Sequence, residues 1–196
     1  MKILCTGNPD TRTIASAVRQ VYPDADFIHL SNGYDLLTEE GLLHFRNKIK
    51  EYDVFINASV IANGVQTTLL KIVRDEWEAG HVINIGTTME FHFFHHIDPL
   101  RAESKLALRN LGLDMYDENF RVTHLIVGGH KDRSPTSDGK MDSIHIANAI
   151  KWVLDAAKDF HVPIISVEND FWNKGQPGSG CNWQELKNKG RYDRNS

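Results

Sequence analysis

The 196-residue sequence predicts an α/β protein, a three-layer doubly wound parallel sheet of about six strands with helices on both faces. Three observations predict it. Short apolar runs alternate with stretches of helical periodicity as far as about residue 170. Those runs are apolar almost throughout, as strands covered on both faces require. Single helices separate successive runs, and such crossovers join parallel strands.

Residues 2–5 are the first predicted strand, followed by the turn and capping residues Asn8-Pro9-Asp10 and a helix over 11–22. Residues 27–30 make the second strand, which the turn signal Ser31-Asn32-Gly33 ends. A helix over 38–50 carries Leu42, Leu43, Phe45 and Ile49 on its apolar face. The third strand is 54–57, and the helix over 66–79 spaces Leu69, Leu70, Val73 and Trp77 for burial. Strand 82–85 precedes a helix from Pro99, a residue suited to a first turn, to Leu111. Strand 122–127, a helix over 143–158 and strand 164–167 complete the series. Residues 1–170 therefore read as one domain. In residues 171–196 Gly, Asn and Lys dominate, with Trp172, Trp183 and Tyr192 among them, and this stretch reads as a tail.

Bulk properties narrow the function classes. A net charge of -4 without a basic run gives no reason to expect nucleic acid. No stretch approaches the ~20 apolar residues of a membrane helix, and Met1 leads directly into a strand instead of a signal peptide. Two cysteines, Cys5 and Cys181, make no disulfide framework. A cytoplasmic setting is expected.

Five segments carry the functional signal. The first strand-to-helix turn reads Thr6-Gly7-Asn8-Pro9-Asp10-Thr11-Arg12-Thr13, where backbone N–H groups can meet a pyrophosphate. The third strand ends in Asn57-Ala58-Ser59, and the fourth runs through Asn84-Ile85-Gly86-Thr87 to Thr88. Arg101-Ala-Glu-Ser-Lys105 opens a helix, and Arg121-Val-Thr-His-Leu-Ile-Val127-Gly128 forms a later strand. In this order and spacing, from Met1 to about Asn169, these segments resemble the short-chain dehydrogenase/reductase family, which has a Rossmann-like fold.

The resemblance implies an oxidoreductase that binds NAD or NADP and acts on a small carbonyl or alcohol. It implies cofactor contacts at Gly7, Asn8, Asp10, Thr11, Arg12, Thr13, Ser31, Asp35, Asn57, Ala58, Ser59, Lys105 and Gly128. Thr88 falls at the family's catalytic serine, Lys105 at its lysine, and Asn63 near its active-site asparagine. Arg101 takes the place of the catalytic tyrosine, and only the first glycine of the phosphate turn is kept. The second strand ends at Ser31-Asn32, with neither an acid nor an arginine, so NAD and NADP both stay open. Between Phe27 and Asp35 there is room for one strand, so a helix–strand unit of the family is missing. The family also implies a homodimer or homotetramer, with Leu69, Val73, Trp77 and Leu106 offered as the shared surface. A catalytically inactive nucleotide-binding or protein-interaction module is the alternative reading.

His92, His95 and His96 follow Thr88 closely and include no cysteine; the resemblance implies that their segment lines the substrate pocket, and no metal is expected there. One of them could replace the missing phenol as proton donor. Arg101 stays protonated and cannot. Placed beside Lys105, its guanidinium would cost a few kcal/mol of repulsion unless an anion lies near. That anion is expected from a carboxylate or phosphate of the substrate, or from Asp98 or Glu103.

Overall fold

The computed structural model describes residues 1–11, 13–59, 62–90, 98–129, 141–156 and 160–167. Six strands form one parallel sheet in the order β2-β1-β3-β4-β5-β6. They are β1 (Ile3–Thr6), β2 (Asp26–Ile28), β3 (Val54–Asn57), β4 (Gly80–Ile85), β5 (Phe120–Val127) and β6 (Ile164–Val167). The helices are α1 (Ile14–Val21), α2 (Glu39–Ile49), α3 (Val65–Glu76), α4 (Pro99–Met115) and α5 (Ser143–Ala156). Short 3-10 turns lie at Leu30–Asn32 and Thr88–Glu90.

The period-two alternation of each strand sends its side chains to two separate cores. Cys5, Ile56, Ile83 and Leu125 meet Ala15 and Val18 of α1 and Ile146 and Ile150 of α5 on one face. Leu4, Phe55, Val82, Phe120 and Val122 meet Phe45, Leu69, Val73 and Leu108 from α2, α3 and α4 on the other. Cys5 is fully enclosed, and burial pushes its thiol far above the usual range.

The sheet begins at β2, where the sequence leaves no room for a further strand. Helix ends differ from the expected bounds for local reasons. Thr11 and Thr13 turn their hydroxyls to the Asn8 carbonyl, so α1 starts only at Ile14. Asp98 accepts from the Arg101 N–H at 3.1 Å and Pro99 holds the first position, which fixes the start of α4 where expected. α4 then runs one turn past Leu111, to Met115.

The expected subunit surface is corrected for three of its four residues, Leu106 being half-buried. Leu69 and Val73 are wholly buried and Trp77 is 6% exposed, its indole N–H donating to the Ile49 carbonyl at 2.8 Å. These side chains fasten α3 to this chain's own core and offer nothing to a second subunit. The tail at 171–196 lies outside the described residues. No helix among the described residues is long and apolar enough to cross a membrane.

Candidate functional site

Chain direction reverses across the sheet between β1 and β3, since β1 leads outward to β2 and β3 leads inward to β4. Such a switch opens a crevice beyond the carboxyl ends of the two strands. The Thr6 hydroxyl oxygen accepts from the N–H groups of Ala58 and Ser59, both at 2.8 Å, which fixes the two strand ends against each other. Gly7 has φ of +122°, and a Cβ there would stand 3.1 Å from the Ala15 Cβ, so only glycine lets the chain cross α1 this closely. The Asn8 amide donates to the Ser31 hydroxyl at 3.5 Å, bringing the end of β2 to the same crevice.

The turn after Gly7 is closed largely on itself. Asn8 accepts from Asp10 N–H through its side chain, and from the Thr11 and Thr13 hydroxyls through its carbonyl. Asp10 pairs with Arg19 at 2.8 Å on the surface. Asp35 caps its own turn by accepting from Leu37 N–H. Gly128, at the end of β5, donates to the Val167 carbonyl. Arg12 lies outside the described residues, as do His92, His95 and His96.

Above the α2–α4 core, a polar layer spans three strands. Asn57, Asn84 and His124 are in-register neighbours on β3, β4 and β5, so their side chains share one face. Asn57 donates to the Asn84 side chain at 3.0 Å and to the Gln66 carbonyl at 2.9 Å. Gln66 answers from α3 by donating to the Asn57 carbonyl. Asn57 thus turns to α3 and not to the crevice, whereas Ala58 and Ser59 border it.

Lys105 reaches this layer from α4, only 3% exposed. Its ammonium donates to the Ile85 carbonyl at 2.6 Å and to the Gln66 side-chain oxygen. Burial foremost, and then the Arg101 guanidinium, bring its pKa down to about 7, against an upward pull from Glu90. Arg101 is half-buried; its Nε is enclosed without a hydrogen-bond partner, and it forms no ion pair among the described residues. Asp98 is used as the helix cap and Glu103 is exposed, so neither is the anion that the sequence calls for beside Arg101. Thr88, half-buried, opens the 3-10 turn that leaves β4.

Four residues of the site have no role in the sequence reading. Asn63 is exposed, and Gln66, three positions on, is the residue of α3 that meets Lys105. Glu90 and His124 are joined at 2.8 Å beside Gly86, with Arg109 at 3.5 Å from Glu90. A Cβ on Gly86 would stand 2.2 Å from both Glu90 Oε1 and His124 Nε2, so that glycine admits the pair.

The sequence matches no family model and none of the curated proteins compared with it. Its fold does match solved structures. The 3-alpha-hydroxysteroid dehydrogenase of a Pseudomonas species, complexed with NADH, aligns with a TM-score of 0.65 at 13% identity, over 86% of this chain and 96% of that one. The alcohol dehydrogenase of Thermococcus sibiricus, complexed with 5-hydroxy-NADP, aligns at 0.64 and 16% identity, over 87% and 97%. A short-chain dehydrogenase from Burkholderia cenocepacia, in complex with NADP, aligns at 0.62 and 12% identity, over 96% and 98%. The fold is that of the short-chain dehydrogenase/reductases.

Proposed function

We propose that the chain is an NAD(P)-binding oxidoreductase acting on a small carbonyl or alcohol that carries an anionic group. The observation that supports this most is the pairing of a glycine-lined crevice at the β1/β3 switch with Lys105 and Arg101 at the adjoining end of β4. Gly7 lets the backbone approach a diphosphate as a side chain would not, and the amino end of α1 faces that approach. NADH, 5-hydroxy-NADP and NADP are what the three similar proteins hold in their own structures. A bound dinucleotide would supply or accept the hydride at the substrate carbon.

This chain's residues would do the rest. The Thr88 hydroxyl would orient the carbonyl oxygen. Lys105, with a pKa of about 7, carries a proton that exchanges at neutral pH, which Arg101 cannot. Arg101 would instead hold a carboxylate or phosphate of the substrate through its planar fork. A homodimer or homotetramer in the cytoplasm completes the reading, and light scattering tests the assembly.

Titration with NADH and NADPH, followed by protein fluorescence, tests the cofactor; no binding of either at millimolar concentration overturns the proposal. Turnover with a panel of keto acids and neutral ketones then tests the substrate class. Arg101→Ala should cost the keto acids about tenfold or more in kcat/KM and leave neutral ketones little changed. The self-closed turn at Asn8, with Thr11 and Thr13 spent on its carbonyl, favours a second reading as a nucleotide-binding module without catalysis. Binding without turnover would select it.

A further inference from the structure

Glu90 belongs to none of the sequence motifs, yet its side chain is fully buried. A carboxylate removed from water persists only where donors and counter-charges hold it. Among the described residues, three elements supply them. Thr87 donates its N–H to Oε1 at 2.9 Å from the end of β4. His124 Nε2 lies 2.8 Å from the same oxygen on β5, and Arg109 Nη1 lies 3.5 Å from Oε2 on α4. The Glu90 N–H returns to the Thr87 carbonyl at 3.0 Å, closing the turn that begins with Thr88.

Glu90 and Lys105 flank one peptide unit. The Lys105 ammonium sits 2.6 Å from the Ile85 carbonyl, and Oε1 of Glu90 lies against the next residue, 2.2 Å from where a Gly86 Cβ would be. We infer that Glu90 is a positioning residue of this site, whose carboxylate pins the turn carrying Thr88 and serves as counter-charge to Lys105. The inference rests on the proposed reading of Thr88 and Lys105 as site residues. Among the described residues, the charges that act on Lys105 are Arg101, from its own helix α4, and Glu90, from the turn, while α3 contributes the neutral Gln66; Arg109 from α4 and His124 from β5 meet Glu90. Among the charges, Arg101 acts to depress the lysine and Glu90 to raise it.

The test needs no substrate. In protein labelled with 13C at the lysine ε-carbon, one resonance should titrate near neutrality and vanish in Lys105→Met. Glu90→Gln keeps the size of the side chain and an acceptor for Thr87, but removes the charge. It should move the Lys105 midpoint down by about one unit, and Arg101→Gln should move it up. A folded Glu90→Gln protein whose lysine midpoint stays at the native value overturns the inference, since packing alone would leave the midpoint in place. Should that variant fail to fold, labelling glutamate at the carboxyl carbon in the native protein decides. An inflection of the Glu90 resonance at the Lys105 midpoint supports the inference, and a flat trace there overturns it. Failure of the native protein to bind either dinucleotide would overturn the proposed cofactor and leave these titrations readable.

Discussion

The two halves of the carboxyl edge of the sheet are built by opposite means. Over β1 and β3, the crevice is held by neutral groups: one hydroxyl shared by two N–H groups, a glycine, and a turn bonded to itself. Over β4 and β5, Lys105, Glu90 and His124 are buried together, with Arg109 and Arg101 half-buried beside them. Neutral bonds cost little to bury and leave backbone available to a ligand. Buried charges cost much and shift one another's protonation. On the proposed reading, the first half would supply shape and the second proton chemistry.

Breaking the charged half should have the largest effects. Gly86→Ala drives a methyl group into Glu90 and His124, and should lower stability by roughly 3 kcal/mol in urea unfolding. Lys105 tests the same half through pH. Its folded pKa of about 7 lies below the ordinary 10.5, so between those values the unfolded chain binds the extra proton. Stability is then greatest above pH 10.5 and is lost as pH falls to about 7. Native protein should gain about 2–3 kcal/mol between about pH 7.5 and 9.5, and Lys105→Met should lack that gain.

The neutral half should respond less. Thr6→Val keeps the shape but takes the acceptor from the Ser59 N–H and leaves the Ala58 N–H only the Ile56 carbonyl, and should cost about 2 kcal/mol without changing the pH dependence. Gly7→Ala should cost about 1 kcal/mol, through its φ of +122° and its contact with Ala15. A pH-dependent loss in either variant would erase the distinction between the halves.

The strand positions were legible because strands of a parallel sheet leave continuous apolar runs; Val54–Asn57, buried throughout, falls where such a run predicts, and so does Ile164–Val167, which lies at the sheet edge and is half-buried or exposed along its length. Helix bounds were less so, because polar turn residues such as Thr11 fit a first turn as well as the loop before it. Site residues divided by the kind of signal they leave. Lys105 and Arg101 stand in a spaced motif, and the structure sets them side by side. Gln66 at the start of a helix and Glu90 after Thr88 read as ordinary surface residues, since only tertiary packing buries them. Asn57 could have been placed by period two: Phe55 faces α2 and α3, so Asn57 faces them too. His124 falls within an apolar strand run, and nothing in the sequence announces its bond to Glu90.

Cys5 gives the protein a built-in clock for its own opening. Its thiol lies in β1, between β2 and β3, without exposure and with burial opposing its ionisation. A thiol reagent can reach it only when the sheet parts, so in a Cys181→Ser background each modification event records one such parting. The rate of label uptake, compared with that of an unfolded chain, therefore measures how rarely the interior meets solvent.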